Sequence, residues 1–249
     1  MITFVTYYVA LSQQTMDTIH QTTKTITVTE PFRFIETMFD SARAFHPSCR
    51  CAILTDEATR FPFDETLPVI RFALNNEHPM LSRSEAWPRY LAQAESHVVF
   101  LDSDILINAD LEHVFTHDFD VALTYRDEQK WPINAGIQFI HKSALGRART
   151  FYQKWLDEYR ARHREASVWG GDQDVLREMF ERVDFGRADD FHHEQAGFRF
   201  RFLPCSSYNF SSEDEQMTDR YPEKKVLHFK GRRKAAMLPY WQTVVAAGS

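Results

Sequence analysis

The sequence predicts an α/β domain: a mainly parallel sheet with helices packed against it. Three observations carry this. Apolar, β-branched and aromatic runs at residues 2–9, 49–55 and 97–101 read as buried strands. Between them lie segments with helical spacing, giving strand, helix, strand, strand, helix, strand over the first 101 residues, the signature of a parallel sheet. The chain is also large enough to bury a real core, with 249 residues of which 43% are hydrophobic and 14% aromatic.

Residues 2–9, Ile-Thr-Phe-Val-Thr-Tyr-Tyr-Val, form the first strand. Residues 10–30 are rich in Thr and Gln and suggest only an edge strand over 24–30, where Lys-Thr-Ile-Thr-Val-Thr-Glu alternates with period two. A helix is expected over 31–45, with Pro31 at its first position and Phe34, Ile35, Met38, Phe39 and Ala42 on one face. Strands at 49–55 and 67–72 precede a helix over 79–94 that Pro88 makes irregular. His97-Val-Val-Phe-Leu101 is the clearest central strand. In the second half, strands are expected at 121–125, 133–141, 200–204 and 225–229, and helices at 143–163 and 171–181, with an irregular stretch up to 198. The first of those helices carries a stripe of Leu145, Ala148, Tyr152, Trp155 and Tyr159, which reads as core. There is no internal repeat and no flexible linker.

Composition excludes several function classes. The net charge of −6 offers no global attraction to nucleic acid, and no nucleic-acid partner is expected. Three cysteines, Cys49, Cys51 and Cys205, without a C-x-x-C, fit neither a disulfide scaffold nor a zinc ribbon. No run of about 18 apolar residues spans a membrane, and no signal segment is evident, so the cytoplasm is the expected compartment. The first of only eight glycines is Gly136, so neither a Walker A loop nor a G-x-G-x-x-G loop exists before it. A nucleotide bound by the first half needs another partner for its phosphates, most simply a metal ion.

Asp-x-Asp occurs three times, at Asp102/Asp104, Asp118/Asp120 and Asp172/Asp174. Only the first follows a strongly apolar strand, in Val-Val-Phe-Leu-Asp-Ser-Asp-Ile-Leu-Ile. Ligands of parallel sheets bind beyond the carboxyl ends of the strands. Two carboxylates there repel unless a cation lies between them, and a hard divalent ion with oxygen ligands is the usual solution. The plainer alternative is a solvated turn with capping aspartates.

Residues 98–115 resemble the central segment of GT-A glycosyltransferases, and more specifically the retaining glycosyltransferase family 8, which includes lipopolysaccharide galactosyl- and glucosyltransferases and glycogenin. Four later segments occur in that family's order. Asn134-Ala-Gly-Ile resembles its Asn-Ala-Gly strand, and Asp172-Gln173-Asp174 its Asp-Gln helix start. Leu203-Pro204 with Tyr208-Asn209 resembles its Leu-Pro…Tyr-Asn segment, and His228-Phe-Lys-Gly231-Arg-Arg-Lys234 its His-x-x-Gly-x-x-Lys signature. The sequence departs from the family at Ala235-Ala236, where Pro-Trp is usual, and at Thr6-Tyr7-Tyr8, where an Asp-x-Asn-Tyr-like nucleotide contact is usual.

The resemblance implies a GT-A fold, Rossmann-like, with a mainly parallel central sheet flanked by helices: the nucleotide-diphospho-sugar transferase fold. It implies one domain over 1–249, with 1–115 as nucleotide-binding half and 116–249 as acceptor-side half carrying the metal and diphosphate motif. The implied activity is metal-dependent transfer of a sugar from a nucleotide-diphosphate donor, UDP-linked, to an acceptor hydroxyl with retention. Mn²⁺ or Mg²⁺ would be held by Asp102, Asp104 and His228. Lys234 and the backbone at Gly231 would meet the diphosphate, with Thr6, Tyr7, Arg83, Ser103, Asn134 and Ala135 completing the donor site. Asp172 and Gln173 would act at the sugar's far face, Gln173 as weak nucleophile or oxocarbenium stabiliser; the plainer reading of Asp172 is a helix N-cap.

A haloacid-dehalogenase-like phosphatase also places Asp-x-Asp after an apolar strand, but continues with Gly-Thr or Thr near its amino end; Asp104 is followed by Ile105-Leu106 in mid-chain. A nucleotidyltransferase would not need the His-x-x-Gly-x-x-Lys end, and a degenerate nucleotide-sugar-binding protein would not need all of these side chains. The acceptor, whether carbohydrate, lipid-linked or protein, is open. Residues 126–132 and 186–198 are candidate acceptor loops, and His192-His193 reads as a surface pair rather than a second metal site. Lys230, Arg232 and Arg233 read as a solvated charge run or as contacts to an anionic acceptor or membrane surface. The segment 237–245 reads equally as peripheral membrane contact at the inner face or as docking on the core.

Overall fold

The computed structural model describes residues 1–22, 26, 28–63, 67–75, 77–163 and 170–248. The elements run in the order β1 (Ile2–Tyr7), α1 (Gln13–Thr22), α2 (Pro31–Phe45), β2 (Arg50–Asp56), β3 (Val69–Phe72), α3 (Pro79–Leu91), β4 (His97–Leu101) and β5 (Ile105–Ile107). There follow β6 (Val121–Tyr125), β7 (Ile133–Ile140), α4 (Leu145–His163), α5 (Gly171–Met179), β8 (Phe191–Gln195), β9 (Phe198–Pro204), α6 (Cys205–Tyr208), β10 (Val226–His228) and α7 (Lys234–Gly248).

Eight strands form one sheet in the order β3-β2-β1-β4-β7-β6-β9-β8. The pairs β3–β2, β2–β1, β1–β4 and β6–β9 are parallel, whereas β7 and β8 run against their neighbours, so six of eight strands share one direction. A second, two-stranded antiparallel sheet joins β5 to β10. Each central strand is buried on both sides, because alternate side chains enter different layers. Phe4, Val99 and Leu101 face a core under α2 and α7, whereas Val5, Val98 and Phe100 face one under α3, α4 and α5. The expected face of α2 is buried as a unit, Ile35, Met38, Phe39 and Ala42 being fully enclosed. The α4 stripe packs into the other core, where Trp87 stacks on Phe100 with centroids 5.2 Å apart and Tyr152 on Trp155 at 5.6 Å.

Several expectations need correction. The edge strand over 24–30 falls largely outside the described residues, and the Thr- and Gln-rich stretch before it contains α1. The helix expected to reach 94 ends at Leu91. The stretch to 198, expected to be irregular, contains β8, and β5 was not anticipated. The carboxyl-terminal segment docks through Met237 and Tyr240, both buried in the core against which α2 packs. None of the described helices is long and apolar enough to cross a membrane.

Candidate active site

The strand β4 ends where apolar packing stops, and the chain turns through Asp102, Ser103 and Asp104 before resuming as β5. Two backbone bonds fix that turn: Asp102 N–H donates to the Gly136 carbonyl (2.8 Å), and Phe229 N–H to the Asp104 carbonyl (2.8 Å). Because β10 pairs with β5 in a register that sets His228 opposite Ile105, the imidazole arrives beside both carboxylates. His228 Nε2 lies 3.2 Å from Asp104 Oδ1 and 3.8 Å from Asp102 Oδ2. One ligand atom from each of the three side chains lies within 4.8 Å of the others.

A hydrogen-bond network assigns the imidazole tautomer. Asn209 Nδ2 donates to Thr124 Oγ1 and to Asn134 Oδ1, both at 2.8 Å, so its own Oδ1 is an acceptor. That oxygen lies 2.7 Å from His228 Nδ1, which therefore carries the proton. Burial lowers the His228 pKa despite the attraction of Asp104, which keeps the ring neutral. The lone pair on Nε2 thus faces two carboxylates. Three electron-rich atoms converging in this way are unfavourable alone and suit a divalent cation. The residues present fit such an ion.

The surrounding charges agree. Burial acts to raise the Asp104 carboxyl, but the Lys234 ammonium, 3.3 Å away, holds it well below the usual carboxylate range. Burial raises Asp102, opposed by the Arg83 guanidinium, which binds Asp102 with one terminal nitrogen and Asp172 with the other. Arg83 also lies over the Trp87 ring, 4.9 Å from its centroid.

These groups line a cavity of about 290 Å³. Tyr7, Arg83, Ser103, Asn134, Ala135, Asp172, Gln173, Gly231 and Lys234 all line it with the three ligand candidates. Thr6 does not; it is fully buried and its hydroxyl donates to the Leu101 carbonyl at 2.9 Å, tying β1 to β4. Within the cavity wall, Arg83 Nε is buried without a hydrogen-bond partner among the described residues. Asn134 Nδ2 donates to Gln173 Oε1 at 3.2 Å. Asp172 is not the N-cap of α5; Gly170 takes that place with φ 90°, and the Asp172 carboxylate turns to Arg83. Gly231 adopts φ 60°, a conformation that suits glycine, and brings backbone to the cavity wall. A second cavity, of about 390 Å³, adjoins the first; Tyr8, Val9, Leu11 and Phe34 line it, and Tyr7, Ser103, Asp104 and Lys234 are shared.

Two site residues escaped sequence reasoning. Asn209 was visible only as part of a Tyr-Asn segment, with no role attached. Gly136 matters because a Cβ there would lie 2.5 Å from His228 Cε1. Lys230, read as part of a solvated charge run or as a contact to an anionic acceptor or membrane surface, lines the cavity; burial lowers its pKa, opposed by Cys205 and reinforced by Arg126. The other two basic residues of that run face outward, Arg232 toward Glu215 and Arg233 to the Ser212 carbonyl. The second Asp-x-Asp is structural: Asp120 is fully buried between Arg147 and Arg199. His192 and His193 lie on β8, and among the described residues they join no metal-capable cluster.

No protein-family model and no curated protein matches the sequence. Solved structures do match its fold. GlyE, a glycosyltransferase of Streptococcus pneumoniae TIGR4, is 16% identical with a TM-score of 0.55; the match covers 98% of this chain but only 62% of GlyE. The galactosyltransferase LgtC, solved with donor and acceptor sugar analogues, is 14% identical with a TM-score of 0.54, the match covering 98% of this chain and 95% of LgtC. The bifunctional glycosyltransferase WbbM is 13% identical with a TM-score of 0.52, over 92% of this chain and 46% of WbbM. The architecture is the GT-A fold.

Proposed function

We propose that this chain, on its GT-A scaffold, is a metal-dependent glycosyltransferase of the family 8 type, moving a sugar from a UDP-linked donor to an acceptor hydroxyl with retention. One observation carries the reading: the neutral His228 lone pair aimed at Asp102 and Asp104 on the cavity floor. Asp102, Asp104 and His228 would hold Mn²⁺ or Mg²⁺, which supplies Lewis-acid stabilisation to a departing diphosphate.

The chain's own residues divide the remaining work. Lys234 and Arg83 present positive charge to the diphosphate in a cavity shielded from bulk water, where such charge is most effective. Arg83 also fixes Asp102 relative to Asp172, so the leaving-group side and the sugar side of the cavity keep one geometry. Asn134 orients the Gln173 amide so that its oxygen can stabilise positive charge at the anomeric carbon as the glycosidic bond breaks. The adjoining apolar cavity would take the nucleoside, with Tyr7 at the junction. Residues 1–115 then form the nucleotide half and 116–249 the acceptor half. The likeness to LgtC, which was solved with donor and acceptor sugar analogues, supports a cavity that takes both substrates.

The test is donor hydrolysis across UDP-, GDP- and ADP-sugars, with and without Mn²⁺. Metal-dependent release of one nucleoside diphosphate is expected, falling at least about 100-fold in the Asp102→Ala/Asp104→Ala variant. Silence across the panel, with no nucleotide-dependent thermal shift, would reject the transferase and leave a sugar-binding protein.

A further inference from the structure

Almost every charged group on the cavity floor is matched by an opposite charge. Arg83 holds Asp102 and Asp172, and Lys234 faces Asp104. Lys230 lines the same cavity, yet among the described residues no carboxylate lies within ion-pair distance of its ammonium. Its nearest attracting carboxylates, Asp104 and Asp102, are already engaged by Lys234 and Arg83, and a cation drawn away from bulk water with so little compensation is costly. Such a group earns its place only when an anion arrives.

Its position indicates which anion. Lys234 belongs to both cavities, so it stands on the side of the proposed nucleoside end. Lys230 lines only the first cavity, in company with Asn134, Gln173 and Gly170. Its electrostatic neighbours are Cys205 at the start of α6, Arg126 just beyond β6, and the carboxylates of Asp104 and Asp102. Arg126 is anchored through Nε, which donates to the Trp131 carbonyl (3.1 Å) and lies 2.6 Å from Glu128. Its terminal nitrogens take no hydrogen bond among the described residues. One compact ammonium backed by one guanidinium makes a receptor for a carboxylate or phosphate.

We infer that Lys230, with Arg126 behind it, receives an anionic group on the acceptor saccharide, a carboxylate or a phosphate close to the accepting hydroxyl. This rests on the glycosyltransferase reading of the site. The acceptors served are then acidic sugars or sugar phosphates, and a neutral sugar of the same shape is a poor substitute.

Three probes of one ring shape test this: methyl glucoside, methyl glucuronide and glucose 6-phosphate, titrated by ligand-observed NMR. Filling the donor site with UDP and Mn²⁺ keeps the probes away from Lys234, and the titrations are repeated without nucleotide. At least one anionic probe is expected to bind about tenfold or more tightly than the glucoside, the worth of a charge-assisted hydrogen bond. Which of the two binds more tightly identifies carboxylate or phosphate. The preference should collapse in Lys230→Met and persist in Lys230→Arg, with melting temperatures confirming that both variants fold. Equal binding of all three probes, or a preference unchanged in Lys230→Met, overturns the inference. So does a Lys230→Met variant that instead loses discrimination between UDP-glucose and UDP-glucuronate, because the cation would then read the donor. Failure of UDP, GDP and ADP to bind with Mn²⁺ counts against the transferase itself; intact nucleotide binding without anion preference counts against Lys230 alone.

Discussion

Replacing Gly136 by alanine tests the architecture of the site with a single methyl group. That methyl would sit 2.5 Å from Cε1 and 2.8 Å from Nδ1 of His228, and 2.9 Å from Oδ1 of Asn134. Carbon atoms in ordinary contact need roughly 3.5 Å or more, so the imidazole must withdraw by about 1 Å. It has nowhere to go: its side chain is 5% exposed and its Nδ1 is bound to Asn209 at 2.7 Å. Overpacking costs about 1–3 kcal/mol, and disturbing a buried hydrogen bond about 1 kcal/mol more. The backbone of Gly136 is not in the left-handed region, so alanine also returns roughly 0.4–1 kcal/mol by restricting the unfolded chain. The net loss is about 1–3 kcal/mol, or roughly 3–10 °C in Tm for a chain of this size. Displacing His228 should also weaken Mn²⁺ binding about 10–100-fold, as loss of a ligand's support does. Thermal unfolding across a Mn²⁺ titration measures both effects. Gly146→Ala serves as the control, since nothing lies within 4 Å of a Cβ there. If Gly136→Ala melts within about 1 °C of the parent and keeps its Mn²⁺-induced shift, the packing argument is wrong.

Two further outcomes follow from groups outside the cavity. Asp120→Asn keeps the shape but removes the charge that Arg147 approaches at 2.7 Å and Arg199 at 3.2 Å. Because both guanidiniums retain water contact, the expected loss is at the lower end for a buried pair, about 2–4 kcal/mol by urea unfolding; Asp118→Ala, at an exposed position, should change little. Burial, His141 and Lys142 push the His97 pKa down to about 4 from 6.5. Its folded value lies below its unfolded one, so its contribution is present above about pH 6.5 and is lost as the pH falls toward 4. Solvent screening limits this to on the order of 1 kcal/mol. Urea unfolding at pH 7 and pH 5 should show a shallower pH dependence in His97→Phe, and identical slopes would refute the assignment.

What the sequence reveals here depends on whether the determining interaction is local. The face of α2 and the strand β4 are legible because burial imposes its own period on neighbouring residues. The Asp-x-Asp turn is legible because carboxylates break an apolar run. By contrast, β5 is three residues long and continues the apolar character of β4, so nothing local separates them. The helix α1 is built largely from Gln and Thr with no marked apolar stripe, and β8, Phe-His-His-Glu-Gln, is mostly polar at the edge of the sheet. The role of Gly136 is invisible for another reason, since the atoms that forbid a side chain there belong to His228. Thr6 shows the converse error. A residue close to the carboxyl end of a strand was expected to face ligand, yet its hydroxyl satisfies a neighbouring carbonyl inside the sheet.

The pairing of β5 with β10 brings together residues 104 and 228, which are 124 positions apart in the chain. The floor of the candidate site is therefore completed only once β10 has joined β5. Contacts of such long range form late, after the loop between them has been closed at an entropic cost. During synthesis, a chain already carrying the whole of the large sheet still lacks the imidazole and Lys234. On the proposed reading it can neither gather a metal ion through the full set nor hold a diphosphate until β10 pairs with β5 and α7 docks. A polypeptide interrupted anywhere before β10 thus lacks His228 and Lys234 and, on that reading, folds, if at all, as an inert scaffold.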